Sequence, residues 1–303
     1  MQQEPVETAP AEVCYRHPTE RTRVHCTRCG RPICPDCMIP APVGYQCPEC
    51  VQQARREFRQ TRPLRLGDSR LTATNALLLA MVAMFVVEVA VGGPNALTQG
   101  PSQQKLVDLG ALFPPAIALG GQYWRLFTAM FLHIGILHIA FNGYALWLFG
   151  RFTEGTFGRT RFVLLFFLTG FLASATSYAF GPIGEVGAGA SGAIFGVFGA
   201  FVAYNFRRRH LAMAAANLRW AVMLIALNAF LAFGLANIDW RAHVGGLLSG
   251  FVAGYLVEGF GPTRLRPAVQ ALGFLAMVGI GVALVVTRTA DLRVTLGPLG
   301  LRW

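Results

Sequence analysis

The chain has 303 residues, of which 54% are hydrophobic and only 14% charged, with a formal net charge of +11. Soluble domains usually carry about 25% charged residues, so the composition argues against a soluble protein and indicates a membrane protein. Basic chains often bind nucleic acid. Here, however, many of the basic residues are arginines that flank apolar runs, as signals of membrane topology do.

The first 70 residues are polar, and all seven cysteines lie between Cys14 and Cys50. An odd number of cysteines does not suit a disulfide framework, and the absence of an apolar leader segment predicts that this end stays in the reducing cytoplasm. With one histidine, the cysteines form four pairs: Cys14-x2-His17-x8-Cys26-x2-Cys29-x4-Cys34-x2-Cys37-x9-Cys47-x2-Cys50. Eight ligands predict two structural Zn²⁺ ions with full tetrahedral coordination. A redox role for the pairs is the alternative, which four such pairs disfavour.

The ligand spacing resembles that of B-box-type zinc fingers, whose two sites interleave their ligands. The resemblance implies one site of Cys14, His17, Cys34 and Cys37 and another of Cys26, Cys29, Cys47 and Cys50, with His25 as an alternative to His17. We assign residues 1–52 to this zinc-binding domain. Its favoured use is protein interaction or regulation. Nucleic-acid binding stays an alternative, although no aromatic and basic pattern supports it.

Residues 53–70 form a basic linker that we expect to lie near the inner leaflet, and apolar runs follow it. A spanning helix needs about 20 mostly apolar residues. Seven segments meet or approach this length: about 72–91, 132–150, 162–180, 190–206, 219–236, 242–259 and 268–287. The fourth is short and rich in glycine and alanine, so we expect it at the centre of the bundle. The long loop 92–131 has enough apolar content to lie partly in the membrane interface.

The arginines predict the orientation of these spans. With the amino terminus inside, 20 of the 26 basic residues lie on the cytoplasmic side and 6 outside. Because cytoplasmic segments carry the excess of basic residues, the amino terminus is predicted inside and the carboxyl terminus outside, in a bacterial plasma membrane.

Polar side chains within the predicted spans are candidates for chemistry, because such residues are costly in a membrane. The second span reads FLHIGILHIAFN and places His133, His138 and Asn142 in one helix. Hydrogen bonds between helices are the alternative use of these side chains.

The fourth span begins with Ser191 in a GASG setting, and the sixth begins near His243. Taken alone, a serine among small residues more often packs helices than catalyses. However, Gly246 and Gly250 follow His243 at GxxxG spacing, which permits a close approach of another helix. If that helix is the fourth, His243 can take the proton of the Ser191 hydroxyl and activate it as a nucleophile.

Four motifs in this order resemble rhomboid intramembrane serine proteases: Trp124-Arg125, His138-x-x-x-Asn142, Gly189-x-Ser191-Gly192 and Ala242-His243-x-x-Gly246-x-x-x-Gly250. The resemblance covers residues 71–260. It implies an all-α polytopic fold with a six-helix core, to which residues 261–303 add a seventh membrane helix and a tail.

The resemblance also implies the roles of the site residues. Ser191 is the nucleophile, His243 the general base, and His138, Asn142 and the Ser191 backbone N–H the oxyanion hole. Trp124-Arg125 and Glu154 are structural. No third triad member is evident, since the position of Asp239 near His243 in sequence indicates no hydrogen bond, so a Ser–His dyad is expected.

One residue departs from the family pattern. Phe195 replaces the tyrosine that stacks on the catalytic histidine in the best-known members, which keeps the aromatic face and loses the hydroxyl.

The predicted function is hydrolysis of transmembrane segments of membrane proteins near the outer side of the bilayer. Transmembrane proteins and membrane lipid are the expected partners. One alternative is a catalytically silent rhomboid-like protein that binds membrane clients, which the presence of both Ser191 and His243 disfavours. A transporter is less favoured, because the only acidic side chains within the spans are Glu88 and Glu258, with Asp239 at an edge.

Overall fold

A computed structural model describes residues 12–41, 43–60, 72–234, 238–259 and 265–299. The chain forms two compact units, Met1–Asp68 and Ser69–Trp303, each with its own core. The predicted border between residues 1–52 and 53–70 falls inside a helix, Pro48–Gln60. The remainder of the predicted linker lies outside the described residues, so the four-part division stays a prediction.

The first unit has two small antiparallel hairpins. In one, β1 (Glu12–Val13) pairs with β2 (Arg21–Thr22), and in the other β3 (Ile39–Pro40) pairs with β4 (Tyr45–Gln46). Helix α1 (Pro48–Gln60) follows β4 directly. The core consists of the cysteines packed around a fully buried Ile33. So small a core needs cross-links to stay folded.

The second unit is helical, with four short helices between the first and second long ones. In chain order the helices are α2 (Ala73–Gly92), α3 (Ala96–Gln99), α4 (Gln103–Asp108), α5 (Pro114–Ala118), α6 (Arg125–Thr128), α7 (Gly135–Ala145), α8 (Arg151–Phe157), α9 (Arg159–Phe180), α10 (Ser191–Arg207), α11 (Ala212–Gly234), α12 (Trp240–Glu258) and α13 (Arg266–Leu296). A π-helical turn, Leu146–Gly150, joins α7 to α8, so the two continue as one helix.

Among the described residues, four helices are long and apolar enough to cross a membrane: α2, α9, α11 and α13. A fifth candidate is a pair bent by 96°, Arg125–Phe131 with Gly135–Phe157. The other two predicted spans are also helices, but α10 has only 17 residues and α12 is rich in glycine. The expected helical core with one further helix at the carboxyl end is confirmed.

The centre of the bundle is α10, as its small residues predict. It packs against α9, α11 and α12, and most of its residues are buried. Glycines allow this packing. A Cβ atom at Gly246 would lie 2.0 Å from the carbonyl oxygen of Gly192, and one at Gly250 would lie 1.9 Å from that of Gly196. No larger residue fits at either crossing, so α10 and α12 are in backbone contact.

Buried polar side chains anchor the start of α2 and the loop that follows this helix. The carboxylate of Glu154 accepts hydrogen bonds from Ala73 N (2.8 Å) and Thr74 N (2.9 Å), which would otherwise lack partners at the helix start. In the loop, the buried Arg125 guanidinium donates to Val107 O (2.6 Å) and Ala111 O (2.9 Å). These contacts agree with the structural roles that the resemblance implies.

One sequence expectation about the second span is wrong. His133 does not share a helix with His138 and Asn142, because α7 begins only at Gly135. Gly135 has φ +82°, and a Cβ there would meet Thr98 O at 2.4 Å. The chain therefore turns sharply between His133 and α7, and His133 lies in that turn.

Candidate active site

Ser191 and His243 lie at the ends of the two crossing helices. Ser191 is the first residue of α10, and His243 lies in the first turn of α12. The Oγ atom of Ser191 is 2.8 Å from Nε2 of His243, which is hydrogen-bond distance. A hydroxyl so close to an imidazole nitrogen can pass its proton to that nitrogen, as an activated serine must. Both residues are partly exposed, so a reactant has access to them.

Phe195 contacts the imidazole of His243, and Asp239 holds the start of the helix that carries it. The ring of Phe195 stacks on it, with centroids 4.3 Å apart and an interplanar angle of 14°. The aromatic face that the family resemblance implied at this position is therefore present, without a hydroxyl. The carboxylate of Asp239 caps α12 by accepting from the backbone of Arg241 and Ala242, each at 3.1 Å, and it also accepts from Ser177. Asp239 thus orients the helix that carries His243.

A second histidine lies on the other side of Ser191. Gly189 has φ +141°, and a Cβ at this position would lie 2.9 Å from Nε2 of His138 and 3.7 Å from Oγ of Ser191. The backbone before Ser191 thus passes directly over the His138 ring, and any larger residue at Gly189 would collide with it. The backbone N–H of Ser191 has no intrahelical acceptor, because it belongs to the first turn of a helix.

Asn142 lies one turn after His138 on the same face of α7. Its side chain is buried, with 6% exposed, and its Nδ2 atom has no hydrogen-bond partner among the described residues. A buried unpaired donor costs free energy, so this unpaired amide calls for a functional explanation.

A further buried polar group, the Glu88 carboxyl of α2, contacts the turn before α7. The carboxyl oxygens of Glu88, a residue with 0% exposed surface, accept from His133 N at 2.9 and 3.1 Å. Ile134 N in turn donates to Nδ1 of His138 at 3.1 Å. The sequence marked Glu88 as a charge within a span, but its partner lies 45 residues away, and no motif joins the two.

The N-terminal unit brings the other predicted ligands together. Two groups of potential metal ligands have donor atoms within 4.8 Å of one another: Cys14, His17, Cys34 and Cys37, and Cys26, Cys29, Cys47 and Cys50. These are the two interleaved sets that the B-box resemblance implies. All seven cysteines are free of disulfides, so both groups could hold a metal ion.

The distances within these groups suit tetrahedral coordination. For Zn–S bonds of about 2.3 Å, two sulfur atoms of a tetrahedron lie roughly 3.8 Å apart. Cys29 Sγ and Cys47 Sγ are 3.8 Å apart. Nδ1 of His17 lies 3.1 Å from Cys34 Sγ and 3.6 Å from Cys37 Sγ. A tetrahedral ion therefore fits, with His17 binding through Nδ1.

Two residues beside the ligands have other roles. Arg31 Nε donates to Cys29 Sγ at 3.3 Å, and this contact lowers the pKa of that thiol, which favours the ligating thiolate. His25 lies outside both groups, and its Nε2 is 3.4 Å from the Glu12 carboxylate. The structure thus favours His17 over His25 as the eighth ligand.

Comparison with known sequences identifies relatives of the second unit. The Rhomboid domain family matches residues 120–260. Rhomboid protease GluP of Bacillus subtilis (strain 168) is 37% identical over 230 residues, which cover 73% of this chain and 43% of the relative.

Two further relatives have the same family name. Putative rhomboid protease YdcA of Bacillus subtilis (strain 168) is 34% identical over 136 residues, which cover 45% of this chain and 68% of the relative. RHOMBOID-like protein 6, mitochondrial, of Arabidopsis thaliana is 37% identical over 163 residues, which cover 52% of this chain and 51% of the relative. The chain thus spans about half the length of GluP and of the Arabidopsis relative.

Proposed function

The chain belongs to the rhomboid family of integral membrane proteins, and we propose that it is an intramembrane serine protease that uses Ser191 and His243 as a catalytic dyad. The observation that carries the proposal is the 2.8 Å distance between Ser191 Oγ and His243 Nε2 at the crossing of α10 and α12. The relatives named as proteases support it, and the Rhomboid domain match over residues 120–260 includes both helices.

In the proposed reaction, Ser191 Oγ attacks the carbonyl carbon of the scissile peptide bond. His243 Nε2 takes the hydroxyl proton as the new C–O bond forms. The imidazolium then gives this proton to the nitrogen of the breaking C–N bond, and the amine product leaves. The acyl-enzyme is hydrolysed by water, which His243 deprotonates in the same way, and the Ser191 hydroxyl is restored.

The negative charge of the tetrahedral intermediate needs hydrogen-bond donors. We assign this role to Nε2 of His138, to Nδ2 of Asn142 and to the backbone N–H of Ser191. The support is that Asn142 Nδ2 has no partner among the described residues and that the Ser191 N–H belongs to a helix start. Donors that meet charge present mainly in the transition state are worth about 3–4 kcal/mol each.

The expected substrates are transmembrane segments, cut near the outer side of the bilayer. The excess of arginine in the predicted cytoplasmic segments supports an amino terminus inside and a carboxyl terminus outside. The starts of α10 and α12, which hold the dyad, then lie toward the outer side. The bacterial relatives GluP and YdcA favour a bacterial plasma membrane.

We further propose that the N-terminal unit binds two Zn²⁺ ions through the two groups of ligands and uses them for folding alone. Each group offers four donors, so no coordination position is left for a reactant. A protein partner is the favoured use of this unit.

Cleavage of a transmembrane substrate by the purified chain in liposomes tests the dyad. Ser191→Ala and His243→Ala should abolish cleavage, whereas Ser249→Ala should not. Among the described residues, the Ser249 hydroxyl bonds within its own helix, to Gly246 O at 3.0 Å, which makes it a matched control. Cleavage that continues at the wild-type rate in Ser191→Ala would overturn the proposal. A wild-type chain that binds the substrate without cutting it would support the client-binding alternative.

Mass spectrometry of the products tests the location of the cut. Substrates whose helix unwinds easily near the outer interface should be cut there, because a protease needs extended backbone. Cuts clustered near the cytoplasmic side would contradict the proposed topology.

A further inference from the structure

We propose that Glu88 is a positioning residue for the oxyanion hole, acting through the turn before α7 to fix the orientation and tautomer of His138. The inference rests on the proposed function, since it assigns His138 a donor role. Glu88 is the acidic side chain with the lowest exposure in the described part of the chain, at 0%. It does not contact Ser191 or His243, and the mechanism above leaves it unused.

The first step is the contact between Glu88 and the turn. Both carboxyl oxygens receive the backbone N–H of His133, at 2.9 and 3.1 Å. In apolar surroundings this hydrogen bond is costly to lose, because the N–H would be left buried without a partner. The contact fixes the peptide that precedes Ile134 against α2.

The second step links the turn to His138. Ile134 N, the next amide in the chain, donates to Nδ1 of His138 at 3.1 Å. A nitrogen that accepts a hydrogen bond carries no proton, so the neutral imidazole must have its proton on Nε2. Nε2 is the atom that faces Gly189, beside the nucleophile. The turn therefore selects the tautomer that can donate to an oxyanion.

The third step concerns what else holds the turn. Nδ1 of His133 bonds the carbonyl oxygen of Phe131, two residues back, at 3.2 Å, and this local contact does not tie the turn to α2. Gly135 takes φ +82°, and the His133 imidazole packs edge-on to that of His138, with centroids 5.2 Å apart. Nε2 of His133 is buried and has no partner among the described residues. Without the Glu88 acceptor, the amides of the turn can rotate and Nδ1 of His138 can lose its donor.

Removal of the acceptor at Glu88 tests the inference. Glu88→Met has similar volume and no oxygen, whereas Glu88→Gln keeps an acceptor oxygen. Each change is made in the wild type and in His138→Ala, and kcat, KM and Tm are measured on the same samples in detergent. In the wild-type background Glu88→Met should lower kcat about 10- to 100-fold, as loss of an orienting partner does, with KM nearly unchanged. Glu88→Gln should retain most of the rate.

The His138→Ala background separates positioning from folding. If Glu88 acts through His138, Glu88→Met should lower kcat by less than about threefold there, because the two changes remove one interaction. Equal losses in both backgrounds would overturn the inference. Glu154→Met is the matched control, because Glu154 is also a buried carboxylate that accepts backbone hydrogen bonds, in its case from the start of α2. It should lower Tm and change kcat equally in both backgrounds.

A spectroscopic measurement does not depend on activity or on the folding of a Glu88 variant. Histidine ¹³C and ¹⁵N NMR of the wild-type chain, with the His138 signal assigned by its loss in His138→Ala, should show the Nε2–H tautomer. An Nδ1–H tautomer would overturn the inference even where cleavage is normal. Absence of Ser191-dependent cleavage in the wild type would instead overturn the proposed function, and the catalytic part of this inference with it.

Discussion

Gly246→Ala should disable the dyad by a single methyl group. A Cβ at Gly246 would lie 2.0 Å from Gly192 O, whereas ordinary contact begins at 3.4 Å. The clashing oxygen belongs to the backbone in the middle of a packed bundle, so it cannot swing aside as a side chain would. To accommodate the methyl group, α10 and α12 must separate by about 1.4 Å at this level.

The separation acts directly on the reacting atoms, since Gly246 lies three residues after His243 and Gly192 follows Ser191. If it is transmitted in full, the Oγ–Nε2 distance rises from 2.8 Å to about 4.2 Å, well beyond a hydrogen bond. Loss of the general base then lowers kcat about 10²- to 10⁴-fold. The strain costs about 1–3 kcal/mol of stability.

The assay compares Gly246→Ala with Gly279→Ala, a control in α13 where a Cβ meets nothing within 4 Å. Both variants are purified in detergent, and kcat on a transmembrane substrate is measured well below each Tm. The control should keep the wild-type rate. A Gly246→Ala enzyme that also cleaves at the wild-type rate would refute the view that backbone contact between α10 and α12 sets the dyad distance.

Further outcomes follow from the same geometry. Asn142→Ala should lower kcat on the order of 10²- to 10³-fold with KM nearly unchanged; a variant that melts early but cleaves normally below its Tm would contradict the oxyanion role. Phe195→Leu should lower kcat by up to about tenfold, since ring stacking is worth about 0.5–1.5 kcal/mol, whereas Phe195→Tyr should not; equal rates for both would remove the role of stacking. The full chain should contain about two zinc ions by elemental analysis of protein prepared without chelator, and finding none would end the zinc assignment. A chain without residues 1–60 should still insert and cleave, as measured by the liposome assay, because the proposed catalytic residues lie in the second unit; complete loss of cleavage in an inserted chain would contradict this.

The crossing of α10 and α12 was predictable because the pattern that indicates it lies within a few consecutive residues of one helix. Gly246 and Gly250 differ by one helical turn, so their spacing alone indicates a smooth face on α12. The same holds for the four pairs of metal ligands, in each of which the two members are three residues apart. The B-box resemblance, and not the spacing, joined these pairs into two groups. Residue spacing within one element is set by helix or turn geometry, and sequence reasoning recovers it.

Other features depend on where the chain passes in space, which spacing does not encode. The short helices α3 to α6 lie within residues 92–131, which the sequence predicted as one long loop. His133 looked helical because its neighbours are apolar, but the positive φ of Gly135 ends that pattern. The contact of Glu88 with His133 N joins residues 45 positions apart, and only the folded chain brings them together.

The interleaving of the two sulfur-rich groups has a consequence for the order in which the N-terminal unit assembles. Each group takes one pair of ligands from within the loop that the other group closes. Once an ion bridges His17 and Cys34, the enclosed pair at Cys26 and Cys29 is already confined, so the second loop closes at a smaller entropic cost. Uptake of the two ions should therefore be cooperative, and a chelator should strip both nearly together, with little of the chain left carrying a single ion.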